Sequence, residues 1–176
     1  MRQAVTNVIR DERSDDAAAI RTVLETALSQ ALEADLVDRL RQTCQERVSL
    51  VALSADRVVG HILFTPVTIE TNEGPLVGSG LAPMAVLPEF QRTGVGSALV
   101  RAGTEHLRRS GCPFVVVVGH PTYYPRFGFV PASKHGIRCQ WNGVPDEALM
   151  VHVLQPSISA RLAGMARYRP EFDEAL

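Results

Sequence analysis

The chain reads as an α/β (α+β) protein built on a mixed central sheet flanked by helices, and three observations predict it. Short apolar runs of strand length alternate with longer stretches whose apolar residues recur at helical spacing. Breaker-rich turns join several neighbouring runs, as antiparallel hairpins require. One glycine-bearing loop links a strand to a helix and then to a further apolar strand, as a βαβ crossover requires. The 176 residues suit a single domain spanning 1–176.

Residues 4–10 read as a first strand. Ser14 offers an N-cap, with Asp15 and Asp16 in the first helical turn, where the helix dipole favours carboxylates. Ile20, Val23, Leu24, Ala27 and Leu28 follow at helical spacing, and Leu32, Leu36, Val37 and Leu40 form a second helix or a continuation. No Gly or Pro places the break between them. Residues 48–53 and 58–69 form a hairpin across the polar turn 54–57, the second strand being interrupted by Pro66. After the turn 71–75, residues 76–87 read as a third strand in a row. Pro83 sits in its middle, which a regular central strand cannot easily hold, so a bulge is expected at Ala82, Pro83 and Met84.

Residues 88–93 form a loop. Gly94 or Val95 then opens a helix that ends on Arg108, Arg109, Ser110 and Gly111, cations and then glycine. Residues 114–118 are a continuous apolar run, as in a strand buried on both faces. A short helical stretch at 122–127 and a late strand at 148–154 follow. The tail from Gln155 is of mixed polarity.

Composition excludes several functional classes. Charged residues are 21% of the chain and the formal net charge is −1, without basic blocks, which argues against a nucleic-acid partner. Three cysteines, widely spaced and without a CxxC pair, argue against a disulfide scaffold, a zinc ribbon or another metal site. The longest apolar run falls far short of the ~20 residues that span a bilayer, and no apolar signal core follows the N-terminus. A soluble cytoplasmic protein with reduced thiols is expected.

The chemistry points to the loop. A helix N-terminus presents unpaired N–H groups and partial positive charge, and glycines there let a phosphate approach the backbone. The stretch Gln91, Arg92, Thr93, Gly94, Val95, Gly96 and Ser97 can therefore hold a pyrophosphate without a lysine. A Walker loop fails, because Ser97 and Ala98 follow Gly96 where Lys is required. A Rossmann fingerprint fails, because Leu99 replaces its third glycine and 115–120 contains no acid.

The pattern Gln91-x-x-Gly94-x-Gly96, preceded by residues 84–88, resembles the pyrophosphate-binding motif of the GNAT acyltransferase superfamily. Residues 58–62 look like that family's hairpin strand, and Tyr124-x-x-x-Gly128-Phe129 looks like its signature after the fifth strand. The matched core runs over about 48–130. The chain most resembles a bacterial subgroup of N-acetyltransferases with a Tyr-x-Pro-x-Phe tail, here Tyr168 to Phe172. The resemblance implies a fourth strand splayed from the fifth, with the pantetheine arm of acetyl-coenzyme A (acetyl-CoA) in the gap. Met84, Ala85 and Val86 are then its backbone partners, and an N–H near Val86 stabilises the oxyanion. It also implies that Tyr124 protonates the departing thiolate, while Tyr123 is structural.

Glu89, Glu70, His61 and His120 are candidate bases, but none is assigned, since many family members use a water chain. Arg92 and Arg126 are candidate phosphate contacts. The implied reaction is acetyl transfer to an amine on a small molecule, peptide or protein, by an enzyme of a family in which homodimers are common. A different acyl donor or a hydroxyl acceptor is the variant within that class. The rival class is a non-catalytic module that binds or senses acyl-CoA.

Overall fold

The computed structural model describes residues 7–174. Their packing divides into two compact units, the first holding residues 7–64, Pro83–Gly103 and Glu174, the second Thr65–Ala82 and Thr104–Asp173.

The first unit opens with β1 (Val8–Asp11). The expected strand 4–10 overlaps it, with residues 4–6 outside the described residues. A 3-10 turn (Ser14–Asp16) leads into α1 (Ala17–Leu28). Ser14 makes no capping hydrogen bond. Asp16, the residue before α1, does not cap the helix either; its carboxylate ties back the turn, accepting from the Arg13 backbone N–H at 2.7 Å and from the Arg10 guanidinium at 2.6 and 3.0 Å. The break before α2 (Leu32–Thr43) is made by Ser29, whose φ of 57° puts a non-glycine residue in the left-handed region. Both helices bury one apolar stripe, Ile20, Val23 and Leu24 on α1 and Ala34, Leu36, Val37 and Leu40 on α2.

Strand β2 (Val48–Ser54) pairs antiparallel with β1 and with the first part of β3 (Arg57–Thr71). The register slips between Ala52 and Leu53, which leaves Val59 as an extra residue on β3. The carbonyl of Val59 accepts the N–H of Leu87 at 2.9 Å. Helix α3 (Val95–Arg109) begins in this unit and lies against β3. A Cβ on Gly60 would come within 3.0 Å of Val95 and Leu99, and one on Gly103 within 2.2 Å of the Phe64 ring. Glycine at both positions is what lets helix and strand approach this closely.

The second unit contains the remainder of β3 and the first part of β4 (Gly74–Val86). With them are β5 (Phe114–Val118), β6 (Val130–Pro131), β7 (Ile137–Cys139), β8 (Leu149–Val153) and β9 (Gly164–Arg167). Their hydrogen-bonded order is β3-β4-β5-β8-β6, with β9 joining β3 and β7 joining β9. The β4–β5 and β7–β9 ladders are parallel; those of β8 with β5 and β6, and of β9 with β3, are antiparallel. The sheet is therefore mixed, as expected. Strand β3 runs unbroken through Pro66 rather than being interrupted by it. Strands β6, β7 and β9 were not anticipated, being too short to show a period.

Candidate active site

The parallel ladder of β4 with β5 covers Ser79↔Val115, Gly80↔Val116 and Leu81↔Val117. Alternation of buried and exposed residues already ends at residues 78–81, which are all buried; Ala82, Pro83 and Met84 are half-buried, and β4 runs through them as one strand. Full burial resumes at Ala85, Val86 and Leu87.

Strand β4 hands over to the glycine loop in the first unit, and three contacts fix that handover. The Leu87 N–H is held by Val59. The side chain of Gln91 donates to the Val86 carbonyl at 2.9 Å. The Thr93 hydroxyl donates to the Phe90 carbonyl at 2.5 Å. The loop then turns sharply, with Arg92 at φ 60° and Gly94 at φ 95°. Ala98 N–H to the Gly94 carbonyl (2.9 Å) closes the first helical bond. The N–H groups of Val95, Gly96 and Ser97 therefore have no partner within the helix. Nothing lies within 4 Å of a Cβ placed on Gly94, and residues 91–94 are exposed. Val95 and Leu99 are buried (1% and 0% exposed) beneath this face. Their burial, at about 1.5–3 kcal/mol each, anchors the open turn to the sheet. The result is an exposed backbone turn carrying partial positive charge, which suits a pyrophosphate.

Tyr124 belongs to the second unit. It opens a 3-10 turn (Tyr124–Phe127) closed by Gly128 in the left-handed region. Its side chain is buried, edge-on to Tyr123 (5.1 Å) and Phe129 (5.6 Å). A Cβ on Gly119 would stand 2.4 Å from its ring, so the residue after β5 must be glycine for the tyrosine to lie there. Burial foremost, then the neighbouring Tyr123, pushes the Tyr124 phenol well above its ordinary range, so it is protonated at neutral pH. A protonated phenol is an acid in waiting, not a base.

The candidate bases fare differently. Glu89 pairs with Arg57 and Glu70 with Arg167, each at 3.1 Å and each exposed. His120 is exposed, and its carbonyl accepts the Tyr123 N–H at 3.0 Å. His61 is fully buried, with Nε2 2.9 Å from the Ser49 hydroxyl and Nδ1 without a partner. That hydroxyl bonds Glu12, which pairs with Arg41 at 2.6 Å. Burial lowers the His61 pKa to about 4, so the ring is neutral and inaccessible. Arg126 is engaged with Tyr123, donating to its carbonyl at 2.9 Å and lying 4.5 Å from its ring centre.

Sequence reasoning did not single out Gly60 and Gly119 as site-shaping residues. The segment 136–145 lines an open cleft of about 510 Å³ with Ile137, Cys139 and Trp141. Among the described residues no group of three or more His, Cys, Asp or Glu is placed to hold a metal ion, and no helix is long and apolar enough to cross a membrane.

Comparison with known proteins bears on this geometry. Residues 8–132 match the family model described as an acetyltransferase (GNAT) domain. The N-acetyltransferase YjhQ of Escherichia coli K12 is 47% identical over 67% of this chain and 66% of its own length. The N-acetyltransferase YhbS of the same organism is 33% identical over 94% of this chain and 98% of its own. The crystal structure of YhbS in complex with CoA superimposes with a TM-score of 0.88, at 32% identity, covering 98% of this chain and 95% of that one. A GNAT family acetyltransferase from Brucella melitensis in complex with acetyl-CoA gives 0.77, also at 32% identity, covering 96% and 99%. The match to the family model and the near full-length likeness to YhbS make this chain an acyltransferase of the GNAT acetyltransferase family.

Proposed function

We propose that the chain transfers the acetyl group of acetyl-CoA to an amine, and that the glycine loop of the first unit binds the donor's pyrophosphate. The observation that carries this reading is the open turn at Arg92–Gly94, pinned by Gln91 to Val86 and leading directly into free helix N–H groups. The complexes of YhbS with CoA and of the Brucella protein with acetyl-CoA support the same donor. Residues 91–97 take the phosphates, Arg92 adding its charge from the exposed loop. The backbone of Met84, Ala85 and Val86 pairs with the pantetheine arm, and an N–H near Val86 polarises the thioester carbonyl.

In this reading the amine nitrogen attacks the thioester carbon and the carbon–sulfur bond breaks. Tyr124 gives its proton to the departing sulfur, and the proton lost from nitrogen leaves through water. Burial makes this phenol a weaker acid, so the transfer is uphill and depends on its position beside the sulfur. No side chain is assigned as base, since His61 is sealed in the core and both glutamates are paired. The acceptor is an amine on a small molecule, peptide or protein, the setting is cytoplasmic, and one domain carries the activity.

The test is release of free thiol from acetyl-CoA in the presence of a panel of amines, amino acids and peptides, with the acetylated product identified by mass. Turnover with at least one amine is expected. Tight binding of acetyl-CoA with no turnover across the panel would replace the enzyme by an acyl-CoA-binding module.

A further inference from the structure

His152 of β8 has no part in the proposed chemistry, yet its ring lies against the turn that carries Tyr124. The residue is half-buried, and its Nδ1 is buried with no hydrogen-bond partner. It is in register with Val115 of β5, and paired residues point to the same face of a sheet. Alternation along the chain puts Val117 and then Gly119 on that face too. The pairing reaches that far, since the Gly119 N–H donates to the Ala148 carbonyl at 2.9 Å. The Tyr124 ring rests on Gly119. His152 and Tyr124 therefore stand over one face of the β5–β8 pair, within the second unit.

The imidazole meets the Tyr124 turn at two points. A Cβ on Gly128, which closes the turn, would stand 2.9 Å from Nε2 and 3.2 Å from Cε1 of His152. The buried ring of Phe129 lies 5.4 Å from the His152 ring and 5.6 Å from the Tyr124 ring. Phe129 is thus a wedge between the two, and Tyr124 is gripped between it and Gly119. With Nδ1 unbonded, the ring serves this packing by its flat shape.

A charged ring would serve it badly. Both nitrogens of a protonated imidazole are donors, and a buried donor without an acceptor is costly. Arg108 of α3 acts on the ring as a like charge and is itself held by Glu105 at 2.9 Å. Arg109 shares that glutamate, and His106 is the other titratable group at this end of the helix. Arg126 of the turn is engaged with Tyr123. Val115 of β5 and Phe129 before β6 carry no charge. Burial foremost, then Arg108, lowers the His152 pKa from its ordinary value near ~6.5, so the ring is neutral at pH 7 and above.

We propose that His152 is a positioning residue for Tyr124: its neutral ring seats the turn at Gly128 and, through Phe129, holds the phenol where it can protonate the departing sulfur. The proposal rests on Tyr124 being the proton donor. His152 exchanges no proton with the substrates. When it takes one from solvent in acid, the charged ring must find an acceptor for Nδ1, and the seat is lost.

Thiol release from acetyl-CoA tests this in wild type, His152→Ala, His152→Phe, Tyr124→Phe and the Tyr124→Phe/His152→Ala double variant. The fastest amine of the panel is the acceptor, and kcat is followed from pH 8 to 5.5. Protonation of the amine slows every protein alike, so each rate is taken as a ratio to wild type at the same pH. At pH 8 His152→Ala should lower kcat at least about tenfold, since displacing a catalytic group by ~1 Å costs up to about a hundredfold. That deficit should shrink as pH falls and wild type loses its own seat. His152→Phe keeps a flat ring and gives up no Nδ1 bond, so it should hold most of kcat at pH 8 and overtake wild type toward pH 5.5. If His152→Ala fails to fold, the pH course of His152→Phe decides alone. The double variant should be no slower than Tyr124→Phe. Full kcat in His152→Ala, a His152→Phe ratio that stays constant with pH, or losses that multiply in the double variant would each overturn the proposal and leave the donor reading standing. Full kcat in Tyr124→Phe would overturn the donor reading and this proposal with it.

Discussion

Tyr124 and His61 show how burial assigns opposite roles to two titratable side chains. Burial raises the Tyr124 phenol and so weakens it as an acid, which makes its proton transfer to a thiolate an uphill step. Tyr124→Phe should lower kcat by about a hundredfold or more while acetyl-CoA affinity holds, read as kcat against the calorimetric Kd. For His61 burial has a thermodynamic consequence instead. Its folded pKa of about 4 lies below the ordinary 6.5, so the unfolded chain binds the extra proton between those values. Stability is then complete above about pH 6.5 and falls as pH drops toward 4, by on the order of 3 kcal/mol from this group. Denaturant melts from pH 7 to 4 should show that slope, and His61→Gln should flatten it. The sequence displayed Tyr124 openly, through its spacing from Gly128 and Phe129. It showed His61 and His152 only as letters, because a buried, unpartnered ring nitrogen is a property of packing between segments far apart in the chain.

At the level of elements, the glycines decide how closely helix and strand meet. Gly103→Ala places a methyl 2.2 Å from the fully buried Phe64 ring, and overpacking of that kind costs about 1–3 kcal/mol against the small helix-propensity gain of alanine. Urea melts should show the loss. The turn before α1 depends on Asp16, so Asp16→Ala should cost about 1–2 kcal/mol through the lost hydrogen bonds from Arg10 and the Arg13 N–H. Its carboxyl pKa is lowered chiefly by the Arg10 hydrogen bond, so this stabilisation fades in acid as the carboxylate is protonated. Helix α3 and strand β5 were legible because each carries an uninterrupted pattern. The α1–α2 break was not, since Ser29 occupies a conformation that usually advertises itself by glycine. Pro83 announced a disturbed strand, yet β4 runs as one strand from Gly74 to Val86 through it.

For the molecule as a whole, the family and the mixed sheet follow from the stretch 48–130, where motifs, hairpins and crossover occur in order. The acceptor does not follow, because residues 136–145 and the tail carry no period and a net charge of −1 favours no charged partner. What unites the account is the open loop at the start of α3. Calorimetric titration of acetyl-CoA into wild type and Gly94→Ala tests it most directly. Nothing in the fold meets the added methyl, so the variant should stay folded with only the strain of a positive φ, about 1–2 kcal/mol. Wild type should bind, and the variant should bind at least about tenfold more weakly, the cost of one lost charged contact with the backbone. Equal affinity in two equally folded proteins would contradict the assignment of this loop to the pyrophosphate.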